Sequence, residues 1–480
     1  MKEIKIFRWA FWVFGLLTIT ACKSLNTRLS VPEKKLPNQF ANRNTDTQTV
    51  ARLPWSTYFN DADLVRLIEK AVANNLDVQM TYQNLETYKA QVKMARGAQL
   101  PTVNATTAYW QRKFGYYTMD DAGNRVTEFS PGDTIPTHLP DYYVGLTATW
   151  EVDIWGKLKR LRQSALAQYL AGVEGQHFVI SNLVAEVANL YYALLALDNE
   201  LDLVKQTIQK QEEAIRIVEA QLDGGRANAL ALKQFQAQLL ASKVIQREIE
   251  QKIQETENQL NFLMGQYPQP IARNKERLFQ TLNENYAVGV PAQLLMYRPD
   301  IRSAAHLVEA SKFNLEAAKA SFYPTLNITA GLGFQAFNSK FLFSTPASLA
   351  YSALGGIVAP LINKNALKAR FNTAKAQQLN ALYQYQQSVL NGYVDVSNAL
   401  TRLTRLEEMH DLRKEQSLVL NETVSMSTEL YQYAKANYLE VLLAQQNALQ
   451  ARLDYIDIVQ QQQQAKVRLY KALGGGWMSK

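Results

Sequence analysis

Cys22 is the residue whose type and position most clearly predict a chemical modification. It is the only cysteine in the chain, which excludes a disulfide within the chain and makes a thiolate metal cluster unexpected. An uncharged apolar run over residues 9–19, preceded by a short positive segment, predicts a signal peptide rather than a membrane helix. The sequence Ile19-Thr20-Ala21-Cys22 resembles a bacterial lipobox and predicts cleavage before Cys22, with a lipid attached to its sulfur.

The other residues that could do chemistry do not form a catalytic or metal-binding pattern. The four histidines lie far apart and have no metal-ligand spacing; they are His138, His177, His306 and His410. The glycines at 474–476 lack the Lys-Ser/Thr pair of a phosphate-binding loop. Spacing gives no nucleophile elbow and no pair of carboxylates. We therefore expect no enzyme activity, no cofactor and no metal site.

The charge distribution argues against a nucleic-acid partner. The chain has 51 Lys and Arg residues against 43 Asp and Glu, a net charge of +8. These charges are spread along the sequence, whereas nucleic-acid binding needs a basic patch. After the signal segment, we expect no apolar stretch long enough for a membrane helix. A membrane crossing by the mature chain would then require strands closed into a barrel.

An internal repeat determines the predicted architecture. Residues 95–104 match residues 318–327, and further on Asn228-Ala229-Leu230 matches Asn437-Tyr438-Leu439. The offset between the copies is smaller for the second match, so the first copy carries about 14 extra residues. They fall within 115–139, where polar residues, glycines and prolines predict a long exposed loop.

Each copy contains two stretches that alternate between apolar and small or polar residues, as in 143–150 and 325–334. Alternation over about ten positions is typical of transmembrane barrel strands, although a half-buried hairpin of a soluble sheet alternates in the same way. Aromatic residues near the strand ends favour membrane interfaces. We expect one face to meet lipid and the other to line a lumen; the lipid-facing set is Leu326, Ile328, Ala330 and Leu332, and the inward set is Thr325, Asn327 and Thr329.

Long helices follow the strands. Apolar residues recur at 3/4 spacing from Val187 to Leu222, which is the seam of a coiled coil. A return helix follows, and the second copy repeats the pair over about 364–430 and 437–473. The helix over about 364–430 would be about 100 Å long, too long to lie within a membrane. The last helix carries two apolar stripes within 441–458, which predicts neighbours on both sides.

Four strands cannot close a membrane barrel, because the smallest have about eight. The strand count therefore predicts assembly of identical chains into a closed ring. Periodicity does not give the number of chains.

These features together resemble the TolC-type outer-membrane factor family, in its lipoprotein branch that serves resistance-nodulation-division efflux pumps. The resemblance covers nearly the whole mature chain in matching order. The segments that carry it are Leu64 to Leu76, Trp150 to Leu158, Val290-Pro291, Arg298 to Arg302 and Tyr438 to Gln445.

The resemblance implies a mixed α and β fold and a homotrimer in the outer membrane. Four strands from each chain would form a 12-stranded membrane β-barrel, continued by a long periplasmic α-helical barrel of coiled-coil hairpins. The implied role is a passive duct for efflux. A periplasmic adaptor (a membrane fusion protein) and an inner-membrane pump would dock to the helix tips, and no nucleic acid would take part.

The expected domain plan follows the repeat. A signal peptide (1–21) precedes a lipid-anchored segment (22–60), and an equatorial linker (266–297) separates the two copies. The first repeat is 61–265, with a strand hairpin at 102–152 and a helical hairpin at 156–265. The second repeat is 298–474, with its strand hairpin at 325–359 and helical hairpin at 364–474; residues 475–480 form a tail.

The resemblance places adaptor contacts at the two helix-hairpin turns. In the first turn these are Gly224, Gly225 and Arg226, and glycine is favoured just past a helix end. In the second turn the matching positions are Ala434 and Lys435, where the family commonly has glycine. The second turn is therefore expected to differ in shape and in its contact with the adaptor.

Two other functions fit parts of the pattern. A periplasmic coiled-coil lipoprotein without a pore would explain the helices, but it would not need two hairpins with lipid-facing alternation. A duct for type I protein secretion would share the architecture. The lipobox and the Arg298-Pro299-Asp300 element favour efflux over secretion by resemblance only.

Cys22 should carry lipid and become the mature N-terminus, because it ends a lipobox-like sequence and is the only cysteine in the chain. Mass spectrometry of protein extracted from membranes should show an acylated Cys22. Since a barrel would hold the chain in the membrane independently, Cys22→Ala should reduce delivery more than channel structure. An unmodified Cys22, or cleavage elsewhere, would contradict the prediction.

Overall fold

The computed structural model describes residues 27–32, 34–40, 48–225, 227–280, 287–362, 364–433 and 435–479. The signal segment and Cys22 lie outside these residues. The chain divides into two compact units, each assembled from three stretches of sequence. The first unit comprises Met1–Val31, Thr87–Tyr169 and Leu307–Leu382, and the second comprises Pro32–Glu86, Leu170–His306 and Tyr383–Lys480.

The described residues form a mixture of helices and strands, as predicted. The helices are α1 (Trp55–Tyr58), α2 (Ala62–Asn74), α3 (Leu76–Gly97), α4 (Met119–Val126), α5 (Lys157–Asp223), α6 (Ala229–Leu263), α7 (Leu294–Tyr297), α8 (Pro299–Ala320), α9 (Asn365–Gln432) and α10 (Tyr438–Ala472). The strands are β1 (Thr102–Lys113), β2 (Glu128–Ser130), β3 (Asp133–Thr134), β4 (His138–Val152), β5 (Thr325–Ala336) and β6 (Leu349–Val358). Short 3-10 helices occur at Val50–Arg52, Lys275–Phe279, Pro291–Gln293 and Ser339–Phe341.

The first unit contains a four-stranded antiparallel sheet in the order β1-β4-β5-β6. The two alternating stretches of each copy are therefore strands, as predicted. Residues directly opposite each other across a ladder share a face, and Leu146 lies opposite both Ala105 and Leu332. One face is thereby almost wholly apolar; its members include Val103, Ala105, Tyr109, Val144, Leu146, Ala148, Trp150, Leu326, Ile328, Ala330, Leu332, Phe334, Leu349, Tyr351, Ala353 and Ile357.

The opposite face of the sheet has two facing glycines where the hairpins of the two repeats meet. Gly145 on β4 lies opposite Gly333 on β5, and a Cβ at Gly145 would stand 2.7 Å from the Cα of Gly333. The side chain of Tyr143 occupies the space above them, since that same Cβ would lie 2.6 Å from its hydroxyl oxygen. Only glycine at both positions allows the strands to pair under the tyrosine.

The insertion between β1 and β4 is more ordered than predicted, so the expectation of a plain exposed loop over 115–139 is wrong in part. Thr118 caps α4 by accepting a hydrogen bond from the backbone N–H of Asp121 (3.3 Å). The β2-β3 pair follows and carries Phe129, whose ring centroid lies 4.9 Å from that of Phe337. This long-range aromatic contact joins the insertion to the loop between β5 and β6.

The second unit is built on the predicted helical seam. Val187, Leu194 and Val204 are fully buried in its core, as a coiled-coil seam requires. The two apolar stripes of α10 are also buried; they include Val441, Ala444, Ala448 and Ile458 on one side and Leu442, Leu449 and Ile456 on the other. The prediction that α10 packs against neighbours on two sides is confirmed.

Helix α5 corrects the expectation that no later stretch could cross a membrane as a helix. Within the part of the chain that the structure describes, it is the one helix long and apolar enough to do so by length and composition. However, 56% of that stretch is buried inside the protein. Packing inside the protein therefore explains the apolar composition of α5, which is weak evidence for a membrane helix.

The helix predicted from Asp61 onward is interrupted at Asn75, which separates α2 from α3. The side-chain oxygen of Asn75 accepts hydrogen bonds from the backbone N–H groups of Asp77 (2.9 Å) and Val78 (3.1 Å). Its amide nitrogen donates to the carbonyl of Leu263 at the end of α6 (2.9 Å). One buried amide thus starts a new helix and fastens it to a second.

Opposite faces of β5 should respond differently to a buried charge, and two adjacent residues test this. Ile328 is on the apolar face, opposite Trp150, whereas Asn327 is on the other face, opposite Glu151. Ile328→Arg should lower the free energy of unfolding by about 2–4 kcal/mol if it lies near the middle of a bilayer. Asn327→Arg is the matched control and should cost much less. Urea unfolding in lipid vesicles measures both, and equal losses would contradict the assignment of faces.

Candidate functional site

The first helix-hairpin turn joins α5 to α6 through an exposed pair of glycines. Gly225 has φ of +69°, the left-handed region that glycine adopts without steric cost. Its N–H donates to the carbonyl of Leu222 (3.0 Å), and the N–H of Ala227 donates to that of Gln221 (3.1 Å). Backbone N–H groups of the turn therefore satisfy carbonyl groups in the last turn of α5. Arg226 lies outside the described residues.

The second turn joins α9 to α10 and is closed in a related way. The N–H of the exposed Lys435 donates to the carbonyl of Leu430 (2.8 Å), while Ala434 lies outside the described residues. Each return helix starts at an asparagine cap. Asn228 accepts from the N–H of Ala231 (2.8 Å), and Asn437 accepts from that of Leu439 (3.3 Å). The matching asparagines of the two repeats thus have the same structural role.

The two hairpins contact each other close to their turns. A small apolar cluster contains Ile215, Val218, Ala231 and Phe235 of the first hairpin and Leu442 of the second. The hydroxyl of Tyr431 on α9 donates to the side-chain oxygen of Gln221 on α5 (2.9 Å). Burial raises the pKa of Tyr431 above its ordinary value.

The turns also expose apolar side chains that were not among the predicted site residues. Leu230 is 59% exposed at the start of α6, and Tyr433 is 69% exposed just after α9. Leu439 and Leu443 on the first turns of α10 are about half exposed. Their positions just beside the two turns could have drawn attention to them. Together with Gly224, Gly225 and Lys435, they form a mixed apolar and polar surface that a partner protein could cover.

The Arg298-Pro299-Asp300 element is not part of the turns and forms a hydrogen-bonded junction between helices. Arg298 is buried, and its guanidinium donates to both carboxylate oxygens of Asp300 (3.0 and 2.7 Å). It also donates to Asp395 on α9 (3.1 Å) and to the carbonyl of Ala472 at the end of α10 (2.9 Å). Burial works against the charge, but hydrogen bonds to Asp300 and the nearby carboxylates leave the pKa of Arg298 above its ordinary value. The element therefore fastens the start of α8 to α9 and α10.

The histidines have separate surroundings. His177 stacks on Trp477, with ring centroids 4.4 Å apart, and contacts the buried carboxylate of Glu174 (3.3 Å). His410 lies beside Asp411 and Tyr455, and His138 is in β4. Among the described residues, no group of three or more His, Cys, Asp or Glu side chains is placed to hold a metal ion.

Comparison with known proteins identifies the family to which the chain belongs. The family model "Outer membrane efflux protein" matches residues 67–266 and 290–475. The cation efflux system protein CusC of Escherichia coli O6:H1 is 27% identical over 469 residues, which cover 96% of this chain and 97% of CusC. The solvent efflux pump outer membrane protein SrpC of Pseudomonas putida is 29% identical over 427 residues, covering 88% and 87% of the two chains.

A solved structure shares the fold. The open state of the Neisseria gonorrhoeae MtrE outer membrane channel superposes with a TM-score of 0.83 at 23% identity, covering 96% of this chain and 99% of that chain. The two segments matched by the family model each contain one strand hairpin and one helical hairpin. The chain belongs to the outer membrane efflux protein family.

Proposed function

We propose that this chain is the trimeric outer-membrane channel of a tripartite efflux pump. The observation that carries the proposal is the four-stranded sheet with one apolar face. In lipid, strands are stable only when their edges are closed into a barrel. Four strands are too few for one chain to close a barrel, so several copies must contribute strands.

The direction of the strands supports a barrel made by copies of the same chain. Because each neighbour in the order β1-β4-β5-β6 is antiparallel, β1 and β6 run in opposite directions. An antiparallel ladder can therefore continue from β6 of one copy to β1 of the next. Three copies would give 12 strands, a number within the range of known membrane barrels.

The long helices suit the periplasmic part of the duct. Helices with two apolar sides, such as α10, pack into rings because each needs a neighbour on both sides. Exposed apolar residues remain on helices of the second unit; they include Leu240, Val244, Leu412, Leu418 and Val419. In the proposed trimer, neighbouring chains would cover such residues and complete a helical barrel.

The turns at 223–228 and 433–437 are proposed to dock the periplasmic adaptor, which connects the duct to an inner-membrane pump. Their exposed surface combines glycines with apolar side chains such as Leu230 and Tyr433, and exposed aromatic and apolar side chains are enriched at protein interfaces. Cys22 is proposed to add a lipid anchor in the outer membrane. One relative is named for cations and another for solvents, which fits a passive duct whose cargo the pump selects.

The function is tested by efflux in the organism's own strain. Deleting the gene should raise intracellular accumulation of the pump's substrates, and the intact chain should restore efflux. The purified protein should also migrate as a trimer and conduct ions in planar bilayers. A chain that restores efflux only as a monomer, or conducts no ions as a trimer, would contradict the proposed channel.

Variants of the turns test docking within the same assay. Gly225→Val places a β-branched residue in the left-handed region, which costs about 1–2 kcal/mol locally, and Lys435→Glu reverses an exposed charge. Together they should return accumulation close to that of the deletion strain and abolish crosslinking to the adaptor, while the trimer persists on native gels.

The matched controls change the same residue types elsewhere. Gly97 has open space around its Cβ position, and Lys210 is exposed on α5, so Gly97→Val with Lys210→Glu should leave efflux unchanged. Normal efflux by the turn variants would show that docking lies elsewhere. Equal loss in the control pair would show that the effect is not specific to the turns.

A further inference from the structure

A basic cleft lies within the helical second unit, away from both hairpin turns. Its volume is about 570 Å³, and side chains of α5, α8, α9 and α10 form its walls. Seven charged residues line it: Arg298, Asp300, Asp395, Arg402, Arg405, Arg468 and Lys471. Five of these seven side chains are cationic, so the cleft has an excess of positive charge.

The two carboxylates do not neutralise this excess, because Arg298 already uses them. Its guanidinium binds both oxygens of Asp300 and one oxygen of Asp395. Arg405 has its own partner in Glu408 (2.7 Å), and Arg402 donates to the neutral side chain of Gln461 (3.1 Å). Positive charge from Arg402, Arg468 and Lys471 therefore remains without a bound carboxylate within the described residues.

Arg468 and Lys471 lie one turn apart on α10, so their side chains project on the same side of the helix. Neither side chain forms a hydrogen bond or an ion pair in the part of the chain that the structure describes. Lys471 is half-buried, and this burial lowers the pKa of its ammonium group, although Asp395 opposes the shift. Asp395, Asp300 and Glu186 attract this ammonium without forming an ion pair with it, so a bound anion would add direct hydrogen bonds to a partly desolvated charge.

We propose that this cleft binds an oxyanion, a carboxylate or phosphate group held mainly by Arg468, Lys471 and Arg402. Arginine and lysine side chains that line the cleft from α9 and α10 can donate charge-assisted hydrogen bonds, which are the strong form of anion recognition. Asn398 and Thr401, which also line the cleft, add neutral polar groups beside the cations. The oxyanion can be a free ion or an acidic side chain of a second copy of the chain.

The first experiment uses inorganic phosphate as the probe. Detergent-purified intact protein is titrated with sodium phosphate at pH 7 and low salt by isothermal calorimetry, with sodium chloride at equal ionic strength as the blank. Saturable phosphate binding is expected. Arg468→Gln with Lys471→Gln should weaken it about tenfold or more, since each removes a charge-assisted hydrogen bond. Lys471→Arg should keep most of the affinity, because it keeps the positive charge at this position.

The second experiment distinguishes the source of the oxyanion and rests on the proposed trimer. If a neighbouring copy supplies a carboxylate, added phosphate will not bind, but the double Gln variant will lower the temperature at which the trimer dissociates on native gels. The control is Lys205→Gln with Arg216→Gln, two exposed cations on α5 outside the cleft, which should leave dissociation unchanged.

The proposal is overturned if phosphate does not bind and the double Gln variant dissociates at the same temperature as the parent and the control. Phosphate binding that survives in the double Gln variant also overturns it, because the anion would then lie elsewhere. The calorimetric result does not depend on channel function. A failure of the efflux assay with intact phosphate binding would therefore reject the proposed function and leave the anion site standing.

Discussion

Strands β1 and β6 each pair on one side only within the described residues, so their outer edges carry backbone N–H and C=O groups without strand partners. Water can satisfy such groups, but the hydrocarbon of a bilayer cannot, and each unsatisfied group there costs several kcal/mol. The same sheet has an apolar face that favours lipid. These two requirements conflict for a single chain, and joining the edges of several copies satisfies both.

The duplication supplies what such a ring needs from each chain. Each repeat contributes one hairpin, and the ladder between β4 and β5 joins them with apolar residues aligned on one face. At this junction, where the hairpins of the two repeats meet, Gly145 pairs closely with Gly333 under the side chain of Tyr143. A shift of one residue in this register would move every apolar side chain to the other face, so the junction determines which residues form the apolar face.

Sequence patterns predicted the elements whose cause is local. Alternation predicted β5, and the 3/4 spacing predicted the buried seam through Val187 and Leu194, because each pattern reflects one face of one element. The break at Asn75, the ordered insertion and the hydrogen bonds of Arg298 were not predicted. The insertion and the contacts of Arg298 involve partners distant in sequence, Phe337 and Ala472, and periodicity contains no information about such contacts. The break at Asn75 combines a local helix cap with a hydrogen bond to the distant Leu263. Of the turn residues, glycine chemistry indicated Gly225, whereas the exposed Leu230 and Tyr433 are recognised only from their accessibility in the fold.

Crosslinking between free edges tests the closed ring most directly. A cysteine at Thr106 on β1 is combined in turn with one at Ala350, Ser352 or Leu354 on β6, all on the less apolar face. Within one chain β4 and β5 separate these positions, so a disulfide, which needs Cα atoms within about 7 Å, can form only between copies. Oxidation in the outer membrane should give, for at least one pair, covalent species that stop at three chains. Absence of crosslinks for every pair, or a ladder that continues beyond three chains, would contradict the closed trimer.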